Sequence, residues 1–355
     1  MPVTRRSECS PPFGVIPPYL LDRLARHADS RLSMPAVKTL IIDQQHVGLR
    51  AHQTGAPRPS VAMQQAAPEG TPRRSVHDAG NSTTLPGKLA RAEGAPPTGD
   101  AAVDEAYDPL GDTYRFYREA YGRDSIDGKG LPLVGSVHYG EDYDNAFWNG
   151  AQMVFGDGDG VVFNRFTLAA DVIGHELTHG VIDAEAALVY RGQSGALNES
   201  LCDVFGSMVK QYALGQTTRQ ADWLIGAGLF TSRVKARALR SMAEPGTAYD
   251  DPALGKDPQP AHMDGYVETT DDNGGVHINS GIPNRAFYLA ATALDGHAWT
   301  SAGRVWYDTL CDRRLDKNAD FSAFARLTVD VAGAGHGAAV QQAVARAWAA
   351  VGVPT

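Results

Sequence analysis

Apolar positions recur with two different spacings along the chain, and the change between them falls near residue 165. Between 76 and 165, short aromatic and β-branched runs alternate with Gly, Asp and Asn, which is typical of strands joined by turns. One helix is predicted near 101–121 in this half, where large apolar residues recur at helical spacing. From 168 onward the spacing is helical, with predicted helices at 168–187, 196–213, 280–295, 299–313, 320–332 and 337–350. We therefore predict an α+β fold with a β-rich first half, a helical second half and a cleft between them.

The first 75 residues have a different texture. Residues 16–28 predict a short helix that begins at a proline pair. Residues 48–75 are rich in Ala, Pro, Gly, Gln and Arg and predict an exposed linker. Two interpretations remain open, a disordered tail with one helix and a propeptide with a cleavable linker. The predicted organisation is a propeptide and the start of the linker at 1–50, a linker at 51–75, a β-rich domain at 76–182 and a helical domain at 183–355.

Composition narrows the class of protein. A chain of 355 residues is long enough for about two domains. The net charge of −9 argues against a nucleic-acid partner. No apolar run approaches the ~18 residues of a membrane span, so no membrane partner is expected. Three cysteines (Cys9, Cys202 and Cys311) cannot form a disulfide framework. We expect a monomer.

The N-terminus carries no uninterrupted apolar stretch of the kind that a secretory signal contains. Prolines at 11, 12, 17 and 18 interrupt every apolar run that follows the first arginines. We therefore expect no conventional signal peptide, and either a cytoplasmic protein or one secreted by a non-classical route.

The strongest chemical signal is the sequence HELTH at 175–179, inside the predicted helix 168–187. Histidines four residues apart lie one above the other on one helix face. His175 and His179 can therefore share one Zn²⁺. Glu176 flanks them, where it can reach a water on the metal without ligating the metal itself. For an isolated motif of this length, a helix with two hydrogen-bonded histidines is the alternative.

A third metal ligand is predicted in the next helix. Glu199 follows His179 by 20 residues and would leave the fourth zinc position to water. Asp203 is placed to accept the second ring N–H of a ligating histidine. Both carboxylates fall among apolar residues, where burial is costly unless they bind a metal or a partner; the alternative is an ordinary helix with both on a solvated face. Cys202 lies about 100° off their face, so we interpret it as a packed thiol.

Five long segments resemble the thermolysin-like neutral metallopeptidases, and within them the protealysin-like subgroup. They are VHYGEDYDNAFWNGAQMVFGDGDG at 137–160, DVIGHELTHGV at 171–181, QSGALNESLCDVFGS at 193–207, ALRSM at 238–242 and DNGGVHINSGIPNRAFY at 272–288. The resemblance runs over 76–355 and implies a thermolysin-like two-domain fold, a single zinc ion and peptidase activity. The sequence IPPYLL at 16–21 resembles the short propeptide of protealysin-like precursors.

The resemblance supports the zinc ligands, the general base and the histidine partner named above, and it adds further roles. His277 matches a group that hydrogen-bonds the developing oxyanion and is oriented by Asp272, and Tyr190 matches a second donor. The groups that match those holding the substrate main chain are Asn145, Ala146 and Arg240. The residues that match the lining of an apolar pocket are Phe163, Phe166, Val172, Ile225 and Leu239. A loop histidine, a packed aromatic ring and a surface ion pair remain the alternatives for His277, Tyr190 and Arg240.

The chain departs from thermolysin at the double calcium site of that enzyme. Asp171 and Asp222 match two of its carboxylates, but Lys210, Leu224 and Ala227 stand at other acidic positions. Calcium takes about six to eight oxygen ligands, and an ammonium has the wrong charge to contribute. Calcium is therefore not expected there, and Lys210 is predicted to pair with Asp171 or Asp222.

Three hypotheses for function follow. The first is a zinc endopeptidase zymogen that acts on proteins or peptides and prefers bulky hydrophobic residues on the amine side of the cut. Its own propeptide would be an intramolecular inhibitor, docking residues 17–21 in or beside the cleft until it is cut around 45–75. The second is a catalytically silent zinc module that binds peptides or a partner, which predicts the loss of Glu176, His277 or a ligand. The third keeps the N-terminal segment as a permanent inhibitory or partner-binding domain. Cys9 is either an unpaired tail thiol or a propeptide ligand of the zinc.

Overall fold

The computed structural model describes residues 14–52 and 70–355. The helices are α1 Pro18–Ala25, α2 Ser30–His52, α3 Ala101–Tyr121, α4 Ala170–Glu185, α5 Gly192–Ala213, α6 Asp272–Asn279, α7 Gly281–Leu294, α8 Ala302–Leu310, α9 Phe321–His336 and α10 Ala338–Ala350. The strands are β1 Arg74–Asp78, β2 Lys88–Ala92, β3 Leu133–Val137, β4 Ala146–Trp148, β5 Met153–Phe155, β6 Leu224–Ile225, β7 Arg240–Ser241, β8 Asp250–Asp251 and β9 Gly255–Lys256. Short 3₁₀ turns cover Phe166–Leu168, Met263–Gly265 and Ala298–Thr300.

The first half of the peptidase body is built on a five-stranded sheet of order β2-β1-β3-β5-β4. The central strands β1, β3 and β5 are parallel, whereas β2 and β4 are antiparallel edge strands. Every residue of β3 is buried, as expected for a parallel strand covered on its faces. The strand β4 therefore lies at one edge of the sheet, next to α4.

Helix α3 covers the sheet and also contacts α4, so it links the sheet to the helical half. Its ends are well defined by the sequence. The carboxylate of Asp100 accepts hydrogen bonds from the N–H groups of Ala102 and Val103, which is the preferred N-cap arrangement. Gly122 ends the helix with a φ of 69°, the left-handed conformation that glycine adopts without strain.

Helices α4 and α5 lie against each other over much of their length and form the centre of the second half. Glycine allows this close approach. A Cβ added at Gly206 of α5 would lie 2.3 Å from the carbonyl oxygen of Asp171 and 2.9 Å from the backbone nitrogen of His175. The absence of a side chain at Gly206 therefore sets how near α5 can come to the histidines of α4.

The N-terminal segment packs on the peptidase body. Val15, Ile16 and the apolar face of α1 are at most 1% exposed and belong to the same apolar core as the body. Helix α2 contacts the loop before β4, where Lys38 pairs with Asp142 at 3.0 Å. The segment is therefore part of the folded molecule over its described residues.

The predicted two-half fold is confirmed, and so are α3 and the helices from 168 onward, within a few residues at their ends. The sequence analysis did not predict α2, which extends to His52 and so includes the first residues of the predicted linker. Strand β1 begins at Arg74, within the last residues of that linker. Cys9 and residues 53–69 lie outside the described residues. In the described part of the chain, no helix is both long enough and apolar enough to cross a membrane.

Candidate active site

Helix α4 carries the two predicted histidine ligands on one face. The ring centroids of His175 and His179 are 5.1 Å apart, and both side chains are almost fully buried. Helix α5 brings Glu199 opposite them. One carboxylate oxygen of Glu199 lies 3.4 Å from Nε2 of His175, and the other lies 3.5 Å from Nε2 of His179. The three predicted ligands therefore converge on one point.

The other ring nitrogens are held by residues of α5. Nδ1 of His175 lies 2.8 Å from Oδ1 of Asp203, and Nδ1 of His179 lies 2.9 Å from Oδ1 of Asn198. Because carboxylate and amide oxygens accept hydrogen bonds, both Nδ1 atoms carry the proton, and both Nε2 lone pairs face Glu199. This tautomer is the one that a metal at Nε2 requires.

Several buried atoms at this point have no hydrogen-bond partner. They are Nε2 of His179, Oε2 of Glu199 and Oε1 of Glu176. Buried polar atoms are normally satisfied, so the three indicate a missing ligand between them. Two imidazole nitrogens and a carboxylate form a donor set that suits zinc in a catalytic site. The residues present therefore fit a zinc ion.

Cys202 lies near these histidines but on the other side of the ring. Its Sγ is 3.2 Å from Nδ1 of His179, the nitrogen already bonded to Asn198. The two ring nitrogens point in different directions, so a metal held by Nε2 and Glu199 would not reach this sulfur. Burial also raises the pKa of the Cys202 thiol well above its ordinary value. These observations agree with the interpretation of Cys202 as a packed thiol.

Glu176 is fixed by the edge strand of the sheet. Its Oε2 accepts a hydrogen bond of 2.9 Å from the backbone N–H of Trp148 in β4, and its Oε1 remains free. Burial raises the pKa of Glu176 to about 7. A carboxylate with a pKa near neutrality is suited to take and return a proton.

His277 reaches the same centre from α6. Its Nδ1 lies 2.6 Å from Asp272, whose second oxygen accepts the backbone N–H of His277 at 2.8 Å. Asn273, Gly274 and Gly275 all have positive φ, so the chain loops between the two residues before the regular helix begins. Burial opposes a charge on His277, but Glu199 and Asp272 raise its pKa nonetheless. His277 is thus a buried histidine oriented by Asp272, as predicted.

Tyr190 lies between Glu199 and His277. Its hydroxyl donates a hydrogen bond to Oε1 of Glu199 and lies 3.3 Å from Nε2 of His277. Burial raises the pKa of Tyr190 well above its ordinary value, so the hydroxyl remains a donor. The structure therefore brings Tyr190 into the site.

Asp203 accepts more hydrogen bonds than the sequence predicted. Besides His175, it accepts two hydrogen bonds of 2.8 Å from Arg240 and one of 2.8 Å from Nδ2 of Asn284. Burial alone would raise the pKa of Asp203, but the larger opposite effect of Arg240 and His175 lowers this pKa to about 2. Arg240 is only 1% exposed, which excludes the surface ion pair. No local pattern identified Asn284 or Asn198, although the second histidine required an acceptor like Asn198.

The residues predicted to hold a substrate main chain are in contact with the N-terminal segment. The N–H of Val15 donates to the carbonyl of Ala146, and the N–H of Ile16 donates to Oδ1 of Asn145, both at 3.0 Å. Arg240 donates to the carbonyl of Val15 at 3.3 Å. The segment thus docks at the free edge of β4 through one main-chain hydrogen bond and through the side chains of Asn145 and Arg240. The contacts come from residues just before the expected 17–21, which instead begin α1.

The five predicted pocket residues are all buried, and two of them, Ile225 and Leu239, lie next to Arg240. The rings of Phe163 and Phe166 are 5.8 Å apart, and Ile225 pairs with Arg240 between β6 and β7. Leu239 donates its N–H to the carbonyl of Ile225 at 2.9 Å. The residues predicted to line the pocket are Phe163, Phe166, Val172, Ile225 and Leu239, and all five belong to the main apolar core.

Lys210 lies where the sequence suggested a replacement for calcium. Its Nζ is 2.9 Å from Asp171, 3.0 Å from Asp222 and 3.1 Å from the carbonyl of Leu224. It therefore pairs with both aspartates rather than with one of them.

Comparison with known protein families agrees with this geometry. A family model described as "Thermolysin metallopeptidase, catalytic domain" matches residues 64–183. A second, described as "Thermolysin metallopeptidase, alpha-helical domain", matches residues 186–353. The chain belongs to the thermolysin family of metallopeptidases. It is therefore a zinc-dependent metalloendopeptidase, which confirms the predicted fold, enzyme class and metal.

Several thermolysin-family proteins are similar over almost the whole chain. An "Extracellular metalloprotease" of Pectobacterium carotovorum subsp. carotovorum is 58% identical over 97% of this chain and 97% of its own length. "Protease PrtS" of Photorhabdus sp. is 47% identical over 96% of this chain and 92% of its own. Among solved structures, the "Precursor of Protealysin, Metalloproteinase from Serratia proteamaculans" is 55% identical, with a TM-score of 0.88 over 96% of this chain and 100% of the other.

These thermolysin-family relatives correct the predicted location. The expectation of a cytoplasmic protein, or of one exported only by a non-classical route, is wrong, because the relative from Pectobacterium is named extracellular. The expectation rested on prolines that interrupt the apolar runs near the N-terminus. That local pattern carried no information about where the relatives act.

Proposed function

We propose that this metalloendopeptidase is a secreted zymogen, active as a monomer after its N-terminal segment is removed, with roles distributed over the side chains described above. Zinc, when held by His175, His179 and Glu199, supplies a Lewis acid that polarises the scissile carbonyl and acidifies water. Glu176 then takes a proton from the attacking water through its free Oε1 and passes it to the leaving amine. The backbone N–H of Trp148 keeps this carboxylate aimed at the site.

The charge that develops on the carbonyl oxygen needs further donors. His277, oriented by Asp272, and the hydroxyl of Tyr190 are the two donors that this chain supplies. Donors of this kind typically contribute about 3 kcal/mol each to the transition state. Their hydrogen bonds to each other and to Glu199 in the structure support this role, because all three groups face the same space.

The proposal that the precursor is inhibited rests on the contacts of the N-terminal segment. Val15 and Ile16 bond to the carbonyl of Ala146 and to the side chains of Asn145 and Arg240, the groups that we propose hold the main chain of a peptide substrate. A substrate cannot bind there while the segment stays docked. We infer that the propeptide is an intramolecular inhibitor and that a cut around 45–75 releases it.

The apolar cluster beside Arg240 supports a substrate preference. Its members are Phe, Val, Ile and Leu side chains, which favour burial of a bulky apolar group and leave a charged one without a partner. We therefore propose that the enzyme cuts before bulky aliphatic or aromatic residues.

The test compares the full precursor with a Glu176→Ala variant, following N-terminal mass and casein hydrolysis with and without 1,10-phenanthroline. We expect the wild type to trim itself to a body that starts near 45–75 and to lose activity with the chelator. The variant should stay full length and inactive. If both proteins are trimmed alike, another protease performs the maturation. A wild type that binds zinc but is inert after trimming would support a silent binding module, and an active enzyme that keeps its N-terminus would support a permanent N-terminal domain.

A further inference from the structure

Two loops pack against each other at the ends of β4 and β5. The N–H of Gly156, just after β5, donates to the carbonyl of Asn145 at 3.0 Å. A Cβ added at Gly156 would lie 1.9 Å from the carbonyl oxygen of Tyr143, so the two backbones are in direct contact. Each loop contributes one carboxylate with a buried oxygen that has no hydrogen-bond partner. These are Asp144 from the loop before β4 and Asp159 from the loop after β5.

Asp159 is held rigidly by its own loop. Its Oδ1 accepts three backbone N–H groups at 2.8–2.9 Å, from Val161, Val162 and Phe163. Its Oδ2 is buried and accepts no hydrogen bond. One oxygen therefore organises the loop, and the other is left without a function in the described structure.

Asp144 also has a carboxylate oxygen without a hydrogen-bond partner. Its side chain is 1% exposed, and its Oδ1 has no hydrogen-bond partner. Burial and the nearby charge of Asp159 raise the pKa of Asp144 well above its ordinary value, although a hydrogen bond from the backbone N–H of Asp159 to this carboxylate opposes the rise. A charged carboxylate that is buried beside a second one is costly unless a compensating charge lies nearby.

The neighbouring cations are already engaged elsewhere. Lys38 pairs with Asp142 at 3.0 Å, and His138 pairs with Asp157 at 2.8 Å. Among residues 14–45 and 70–355, no Lys, Arg or His side chain forms an ion pair with Asp144 or Asp159. The chain therefore leaves two carboxylate oxygens that a proton, an ordered water or an added cation can satisfy.

We propose that Asp144 and Asp159 together bind a divalent cation of the calcium class. Both are hard oxygen donors, and loop backbone carbonyls and waters are the usual remaining ligands in a shell of about six to eight oxygens. The site is separate from the zinc ligands and from the aspartates that pair with Lys210. A proton shared between the two carboxylates is the competing explanation.

The proposed cation would join the loop that carries Asn145 to the loop after β5. In the precursor, α2 also holds the first of these loops, because the N–H of Asp144 donates to Oγ1 of Thr39 at 2.9 Å. Removal of the propeptide removes this contact. The cation therefore matters most in the mature enzyme, where it keeps Asn145 in place to hold the substrate main chain.

The test titrates calcium chloride by calorimetry into the full-length, zinc-loaded chain carrying Glu176→Ala. Binding is the readout, so the result does not depend on peptidase activity. We expect a single calcium ion per chain and binding at least about 10-fold weaker after Asp144→Asn, since affinity follows the number of charged ligands. Asp159→Asn should act likewise while its Oδ1 still accepts the three N–H groups. Asp222→Asn is the matched control and should leave binding unchanged.

Two results would overturn the cation site. One is the absence of calcium binding to the parent chain. The other is binding that survives both Asp144→Asn and Asp159→Asn but is lost in the control, which would assign calcium to the aspartates near Lys210. If the two carboxylates instead share a proton, Asp144→Asn should raise the unfolding temperature at neutral pH whether or not calcium is present. If Asp144→Asn does not fold, Asp159→Asn decides alone.

Discussion

Asp203 is the single residue on which most of the active site depends. It touches a proposed zinc ligand, the arginine proposed to hold the substrate main chain and an asparagine of α7, so three elements meet at one carboxylate. The carboxylate stays charged although it is completely buried, because Arg240 neutralises it. A change at Asp203 therefore acts on stability and metal affinity together.

We predict that Asp203→Asn weakens zinc binding by about 10- to 100-fold, the usual cost of losing a hydrogen-bond partner of a metal ligand. It should also lower the free energy of unfolding by about 3–5 kcal/mol, because Arg240 would be left buried without a counter-charge. Competition with a zinc chelator and denaturant unfolding measure the two effects. Asp250→Asn, at an exposed position, is the control. An Asp203→Asn protein with unchanged zinc affinity would contradict the role of Asp203.

At the scale of elements, the distance between α4 and α5 sets the geometry of the zinc site. Gly206 lies where α5 meets the backbone of α4, and both contacts of an added Cβ would be backbone atoms. Backbone in two packed helices cannot move aside as a flexible side chain can. The helices would have to separate, and the carboxylate of Glu199 would move away from the histidines.

We predict that Gly206→Ala lowers the free energy of unfolding by about 1–3 kcal/mol, as other overpacking changes do. Zinc affinity should fall as well, because the ligands come from the two helices that separate. The control is Gly335→Ala in α9, where an added Cβ meets nothing within 4 Å. A Gly206→Ala protein as stable as the control, with intact zinc affinity, would show that the helices tolerate the methyl group.

Helix α2 docks on the peptidase body through the partly buried acid Asp43. The hydroxyl of Tyr143 donates to Oδ1 of Asp43 at 2.5 Å, and Nδ2 of Asn145 donates to Oδ2 at 3.1 Å. Burial is the main cause that raises the pKa of Asp43 to about 6, although both hydrogen bonds oppose it. The docked helix therefore binds the protonated acid more strongly than the charged one.

We predict that propeptide docking weakens as the pH rises. The pKa of Asp43 is higher in the docked helix than its free value of about 4. Asp43 therefore stabilises docking fully below pH 4, and this stabilisation is lost as the pH rises through about 6. The loss amounts to about 3 kcal/mol. The measurement is the rate of proteolysis at residues 53–69 in a Glu176→Ala precursor between pH 4.5 and 8, corrected for the protease's own pH profile. Asp43→Asn should flatten the profile, and an unchanged profile in that variant would exclude Asp43 as the cause.

At the scale of the whole molecule, local pattern predicted most of the elements and the candidate zinc ligands, but not where the N-terminal segment docks on the body. The histidine spacing in HELTH and the carboxylates of α5 are each recognisable within a few residues. The contacts of Val15 and Asp43 join residues that are 100 or more positions apart, and no periodicity encodes them. Helix α2 was missed because its sequence contains Pro35 and runs into a linker-like composition. Family resemblance supplied the roles of Tyr190, His277 and Arg240, which spacing alone did not.

The closed precursor depends on a small residue at the start of the docked segment. An added Cβ at Gly14 would lie 2.4 Å from the carbonyl oxygen of Ala146 and 2.4 Å from Oδ1 of Asn145. Both oxygens accept hydrogen bonds from the next two residues of the segment, so neither can withdraw without breaking a docking contact. Gly14 thus controls whether the segment can lie along β4.

We predict that Gly14→Ala loosens the propeptide and makes the precursor mature faster. In a Glu176→Ala background, a trace of mature wild-type enzyme should cut the Gly14→Ala precursor several-fold faster than its parent, followed by N-terminal mass. Gly335→Ala in the same background should mature at the parental rate, which excludes a general loss of stability. After maturation, the Gly14→Ala protein and its parent should have the same unfolding temperature, because the segment that carries residue 14 has been removed. The mature Gly335→Ala protein should differ from them only by the effect of its own substitution. Equal rates of cutting for Gly14→Ala and its parent would mean that the segment is held by α1 and α2 alone.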